Sequence, residues 1–355
     1  MTKQPYILTA LLLAALSLCV ACDSGDMITP EQIVELDVSV ALTERPVVRM
    51  SLDGTAFENG DKFQFFFNSD KPVSTVPSPV ASTEYEYNTT TKWTSLAPVY
   101  WDDYTVGPAL NMKNFCAIMP FSADYDIANH RFTVQSNQSL AVDYKTSDLL
   151  IARVYTNKRL IPIKFYHVLS RVIINIEAPV NNSDPQKFNE GELDGMNVLL
   201  NGYTVAELTY NAQVGTETDY NPSVTVTKNG SASDITMHCL TAPTTVSGVI
   251  KASYIAIVPP QSVTEGGTLL TFQLMSSSSV VKTYYYVFDD NDSTPNETIA
   301  LFEQGEATVL NLIMKKQGVL LKENKVEITA WGAGPTATLS DGSSSTDGTP
   351  IKLDN

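Results

Sequence analysis

The sequence is poor in most of what catalysis needs. It has three histidines, His130, His167 and His238, and four cysteines among 355 residues. No G-x-S-x-G nucleophile turn occurs. No glycine-rich loop follows a strand and opens a helix, as a phosphate cradle requires. "DDNDS" at 289–293 begins like a calcium loop, but the turn glycine and closing glutamate are missing, so it reads as a hairpin turn. "YWDD" at 100–103 could set an aromatic platform beside carboxylates, yet glycoside hydrolysis needs two carboxylates facing each other across a cleft. No such pair stands out. The expectation is a protein without catalytic residues, metal or cofactor, and His167, within "FYHVLS", reads as a packed or edge histidine.

Charge is also scarce, and of one sign. Charged residues make up 17% of the chain, with 39 acidic against 23 basic side chains and a formal net charge of −16. A chain this acidic repels phosphate backbones, which excludes nucleic acid as a partner. Helical periodicity sustained over about fifteen residues is absent. Short alternating or continuous apolar runs recur instead, separated by Gly, Pro, Asn and Asp clusters, the grammar of an all-β sandwich protein.

The one long apolar run lies at the start. Lys3 precedes an uncharged stretch from Tyr6 to Ala21 that contains "ILTALLLAALSLCVA", and Asp23 and Asp26 end it at once. A positive start, a short apolar run and small residues before a break make an export signal. The run barely reaches the length of a bilayer span, the alternative being a retained anchor. Cys19 and Cys22 form a C-x-x-C pair, which could bind metal or shuttle electrons on a folded platform. Here the first cysteine sits inside the export segment, and no second Cys/His pair follows nearby. "CVAC" resembles the lipobox of bacterial lipoproteins, where the chain is cut before the cysteine that receives the lipid. Ala21 supplies the small residue before the cut, whereas Cys19 stands where leucine is usual. Cys22 is therefore the expected lipidation site, and Cys19 leaves with residues 1–21.

Roughly 330 residues remain, enough for two ordinary domains. The expected division is 22–185 and 186–355, inside the linker-like "VNNSDPQKFNEGELDG". Cys116 and Cys239, one in each half, read as buried free thiols, so the exported fold depends on its core alone. The clearest strand is "IVELDVSVAL" at 33–42: Val34, Leu36, Val38, Val40 and Leu42 share one face, and Glu35, Asp37 and Ser39 the other. "GDKFQFFF", a hairpin with Tyr85 and Tyr87 on one face, "NFCAIMPF", and a nearly continuous "KFYHVLSRVIINIEAP" follow. The second half supplies "YIAIVPPQSV", "LLTFQLMS", "VVKTYYYVF", "GEATVLNLIMKK" and "KVEITAWGAG", and the tail after it is polar.

Taken in order, the lipobox, the alternating first strand, "AFENGDKFQFFF", "APVYWDD", "SDLLIARV" and "IKFYHVLSRVIINI" resemble the fimbrillin-like lipoproteins of Bacteroidetes, which are subunits and accessory proteins of type V pili. The most specific parts are Asp148-Leu149-Leu150-Ile151-Ala152 and the run Phe165 to Val172. The resemblance implies two tandem transthyretin-like Greek-key β-sandwich domains, exported as a lipoprotein to the outer membrane and cell surface. Its partners would be other pilus subunits, the outer membrane through the lipid, and an arginine-specific protease. That protease would remove the first strand, and a strand of another subunit would fill the groove.

The residues can be weighed against that scheme. Five apolar side chains on the first strand would contribute ~1.5–3 kcal/mol each when buried, a sum on the order of 10 kcal/mol that rivals the stability of a domain. An incoming strand would fill the groove and satisfy its edge by β-augmentation. Arg45 and Arg49 lie just beyond the strand; Pro46 after Arg45 disfavours cleavage there, which leaves Arg49–Met50 as the expected cut. They could equally be ordinary loop residues. "KVEITAWGA" could be a resident or a donated strand. The competing reading is a monomeric lipid-anchored surface module that binds glycans by stacking on Trp93, Trp101 or Trp331, although tryptophan in a sandwich is more often core.

Overall fold

The structure, a computed structural model, describes residues 35–40, 57–66, 82–95, 113–120, 122, 124–126, 128–156, 160–210, 224–288, 298–331 and 338–339. The strands in chain order begin with β1 (Glu35–Val40), β2 (Lys62–Phe66), β3 (Ser82–Asn88), β4 (Lys92–Ser95) and β5 (Lys113–Met119). Next come β6 (Tyr125–Asp126), β7 (Arg131–Thr133), the short helix α1 (Ala141–Thr146), β8 (Leu150–Thr156), β9 (Leu160–His167) and β10 (Ser170–Pro179). The chain continues with β11 (Asn197–Gly202), β12 (Val205–Tyr210), β13 (Val224–Asn229), β14 (Ser233–Thr236), β15 (His238–Val246) and β16 (Val249–Val258). It ends with β17 (Gln261–Thr264), β18 (Thr268–Ser276), β19 (Ser279–Val287), β20 (Thr298–Phe302), β21 (Glu306–Lys315), β22 (Gly318–Ala330) and β23 (Thr338–Leu339). Among the described residues the expectation of an all-β chain holds apart from α1.

A seven-stranded sheet in the order β1-β9-β8-β5-β2-β3-β4 gathers the first half, with every pair antiparallel except β1 on β9. Its central strands are buried on both faces. Phe115, Ala117 and Met119 of β5 line one face, with Phe63, Leu150 and Ile163, while Cys116 and Ile118 turn to the other. That is why "NFCAIM" and "DLLIARV" read as continuous apolar runs rather than alternations. The expected hairpin is formed by β3 and β4, with Tyr85 opposite Ser95 and Tyr87 opposite Trp93.

In the second half a six-stranded sheet, β15-β16-β10-β21-β22-β23, faces a four-stranded one, β14-β11-β18-β19. Between them lies a single apolar core to which β10 gives Val172, Ile174 and Ile176, and β18 gives Leu270, Phe272 and Leu274. On the outward side of β10 the pattern reverses to polar. Ser253 Oγ donates to Asn175 Oδ1 at 2.8 Å, and Asn175 Nδ2 donates to Asn311 Oδ1 at 3.0 Å, one row across three neighbouring strands.

Three sequence expectations change. The run read as one strand, "KFYHVLSRVIINIEAP", breaks at Val168 and Leu169: β9 joins the first sheet, and β10 pairs with β16 and β21 of the second half. In hydrogen-bonding terms β10, upstream of residues 180–190, already belongs with the second half, while β12 and β13 return to form a sheet with β7 and β6 of the first. The linker-like stretch is not loose either, because Phe188 and Leu193 are buried in the second core. Of the two thiols expected to be buried, Cys116 is, and burial pushes it up to about 12, whereas Cys239 is exposed. A third apolar cluster joins the halves, packing Ile118 and Ile151 against Phe132, Leu208, Ile257 and Trp331.

Where a strand has no strand beside it, a glutamine amide can take its place. The pairing of β15 with β16 begins at His238 opposite Ile255. Two residues further along β16, Ile257 N–H donates to Gln138 Oε1 and Gln138 Nε2 donates to Ile257 O, both at 2.8 Å. Gln304 does the same for the outer edge of β13, accepting from Val226 N–H at 3.0 Å and donating to Val224 O at 2.8 Å. Gln138 is fully buried, so truncating it strands two backbone groups away from water, each worth about 1–3 kcal/mol. Gln138→Ala is expected to lower the free energy of unfolding by about 2 kcal/mol or more, read from the midpoint of urea denaturation.

Candidate functional site

The site that the sequence nominates is the first strand and whatever it pairs with. Its partner is β9, in parallel register from Glu35 beside Leu160 to Val40 beside Phe165. Along β9, Ile161, Ile163 and Phe165 are buried in the core of the sheet, and Lys164 and Tyr166 are half-buried on the opposite side. Positions 36, 38 and 40 stand in the rows of those three buried residues, while 35, 37 and 39 stand in the rows of Leu160, Pro162 and Lys164. The alternation seen in the sequence is thus in step with that of β9.

Two features make this edge unlike an interior one. β1 is the terminal strand of its sheet, held by a single neighbour. That neighbour carries Pro162 at its centre, and proline, which cannot donate to a ladder, is confined to edges and bulges. Leu36, Val38 and Val40 lie within β1; Val34, Leu42, Arg45, Arg49 and Cys22 lie outside the described residues.

The most specific sequence motifs meet at one buried node next to this edge. Asp148, just before β8, and His167, the last residue of β9, are 2.7 Å apart between Oδ1 and Nδ1. The imidazole lies flat on the indole of Trp331, with centroids 4.0 Å apart and an interplanar angle of 5°. Trp331 follows the end of β22, so the stack ties the last residue of β9 to the C-terminal strand. Leu169 O accepts from Gly305 N–H at 2.9 Å, and Ser170 Oγ donates to the carbonyl of Glu303. Gly305 has φ +72°, and a Cβ there would stand 3.1 Å from His167 O.

This is a packed junction and not a catalytic site. Ser170, the nearest serine in sequence, gives its hydroxyl proton to the carbonyl of Glu303, and the imidazole is sealed beneath an indole. His167 was legible as a packed histidine; its partners Asp148 and Trp331 were not, since they are distant in the chain. The proposed sugar platforms fare poorly too. Trp331 is buried, and Trp93 packs on Phe57 and Phe63 at centroid distances of 5.0 and 4.7 Å; Trp101 lies outside the described residues. Among the described residues no group of three or more His, Cys, Asp or Glu could hold a metal ion, and no helix is long and apolar enough to cross a membrane.

Comparison with known proteins agrees on one family. The profile of the fimbrillin-like family matches residues 49–331. No curated protein sequence matches the chain. A solved protein of Bacteroides uniformis, named for a proposed role in cell adhesion, is 20% identical, with 84% of this chain and 99% of its own covered at a TM-score of 0.52. A Bacteroides ovatus protein named in the same way is 13% identical over 86% of this chain and 98% of its own, at 0.50. The fimbrial anchor protein Mfa2 of Porphyromonas gingivalis is 9% identical over 84% and 97%, at 0.38. At these identities the first two show a shared fold.

The junction gives a paired test. Gly305 and Gly248 are both left-handed, but only Gly305 has a neighbour that a Cβ would crowd. Gly305→Ala is expected to destabilise by clearly more than the ~1 kcal/mol that left-handed strain alone costs, and Gly248→Ala by no more than that. Urea denaturation of the two variants, followed by tryptophan fluorescence, checks the order.

Proposed function

This chain belongs to the fimbrillin-like family, and from that premise we propose that it is a structural or adhesive subunit of a type V pilus, assembled by exchange of its first strand. The family is one of fimbrial and cell-adhesion proteins at the cell surface, not of enzymes. In the reading proposed here, two transthyretin-like sandwich units are exported as a lipoprotein bound through Cys22. An arginine-specific protease then cuts after Arg49, with Arg45 as the poorer site, and the segment that includes β1 departs.

The observation that carries this reading is the placement of β1. It is terminal, it has one partner, and it runs parallel to that partner in a sheet otherwise antiparallel. Its loss would bare the edge of β9 and the rows of Ile161, Ile163 and Phe165, whose burial is worth ~1.5–3 kcal/mol per side chain. A bare edge over apolar rows is a template for another strand. Donation of a strand by a second subunit restores both the ladder and the burial. The parallel direction fits the same scheme, because a strand from another chain is not bound by the short connections that make hairpins antiparallel.

The test is limited digestion of the purified chain with an arginine-specific protease, followed by intact mass and by electrophoresis of unheated samples in SDS. Cleavage at Arg49 followed by SDS-resistant oligomers is expected, with Arg49→Ala suppressing both. A chain that resists cleavage at Arg45 and Arg49, or that loses β1 and stays a well-folded monomer unable to take up a strand, overturns the proposal.

A further inference from the structure

A second edge differs from the rest of the molecule. The terminal strand β13 is capped by Gln304. The edge strand β15 is broken by register shifts around Thr241 and carries Pro243. β4 and β14 are four residues long. These are the usual protections of an exposed edge. β19 has no glutamine cap and no proline, and its one bulge, at Val281, leaves a regular stretch beyond it. It is nine residues long, ends the four-stranded sheet, and is regular against β18 from Lys282 to Tyr286.

Its composition points the same way. The sequence Ser279 to Val287 has no proline, no glycine, no acid and a single charge, Lys282. Tyr284 and Tyr286 turn into the core, whereas Val281 is 63% exposed, Tyr285 59% and Val287 44%. In a chain of net charge −16, a strand edge with exposed apolar side chains, one cation and no acid is an interaction surface.

We propose that β19 pairs with β19 of a second copy of this chain, antiparallel about Tyr284, joining two four-stranded sheets into one. The sequence is self-complementary in that register. Within the regular stretch, Thr283 stands opposite Tyr285 of the second copy, a β-branched–aromatic pair of the kind that stabilises adjacent strands. Lys282 stands opposite Tyr286. The two Lys282 residues are then separated by four positions, about 13 Å along the strands at ~3.4 Å per residue, beyond the screening length of ~8 Å at physiological salt. Carboxylates, which make two copies repel, are absent from the paired segment. The contact is isologous, so it closes at a dimer. Two strands alone bury less than the ~1,200–2,000 Å² of a standard interface. The dimer therefore forms at high protein concentration, strengthens as salt screens the net charge, and dissociates on dilution.

This edge is separate from β1, so the test uses the unprocessed chain from residue 23 onward with β1 intact. Light scattering across a concentration series is expected to show a monomer–dimer equilibrium that SDS abolishes, which separates it from strand exchange. Tyr285→Lys is expected to leave a monomer throughout, with an unchanged urea midpoint. In a Cys239→Ser background, mild oxidation of a mixture of Thr283→Cys and Tyr285→Cys chains is expected to give a disulfide-linked dimer that neither gives alone. A monomer at every concentration, no cross-link in the mixture, or a cross-link from Thr283→Cys alone overturns the proposal.

Discussion

An unpaired strand edge is a row of donors and acceptors that must find partners, and the way each edge is closed governs this molecule. Inside the fold the chain closes edges with side chains: Gln138 on Ile257, and Gln304 on Val224 and Val226. A carboxamide serves because its oxygen and nitrogen reproduce the spacing of a peptide group. At the edge of β9 the chain uses its own first strand, β1. At β19 no side chain caps the edge, and the exposed Val281, Tyr285 and Val287 gather there.

The second face of the seven-stranded sheet is committed to the rest of the molecule. Cys116, Ile118 and Ile151 are locked against the second half, and the Asp148–His167 pair beneath Trp331 fixes the end of β9. In the proposed exchange these contacts, none of which involves β1, would hold β9 in place as the acceptor. The stack on Trp331 places the residue that follows β22 against that same strand, so β1 and the end of β22 both meet β9.

Much of this was legible in the sequence. Period-two alternation marked β1, and two-sided burial explains why β5 and β8 appear as solid apolar runs. What could not be read was long-range. Nothing local tells that Leu36 stands beside Ile161 in parallel, or that Asp148 will meet His167 under an indole more than 150 residues further on. The break at Val168 and Leu169 was hidden because both sides of it are apolar and strand-like. Phe188 and Leu193 were lost in a polar stretch, where two isolated apolar residues carry no period. The thiol of Cys239 lies on an irregular edge strand, and its exposure follows from that irregularity rather than from its neighbours in sequence.

The central claim is that β9 becomes an open acceptor edge when β1 leaves. Hydrogen–deuterium exchange at the β9 amides tests it directly, comparing the unprocessed chain with one cleaved after Arg49, with and without a synthetic peptide of residues 33–42. The account predicts slow exchange in the unprocessed chain, fast exchange at the amides facing β1 after cleavage, and recovery when the peptide is added. Equal protection of β9 before and after cleavage, or no recovery with the peptide, would contradict it.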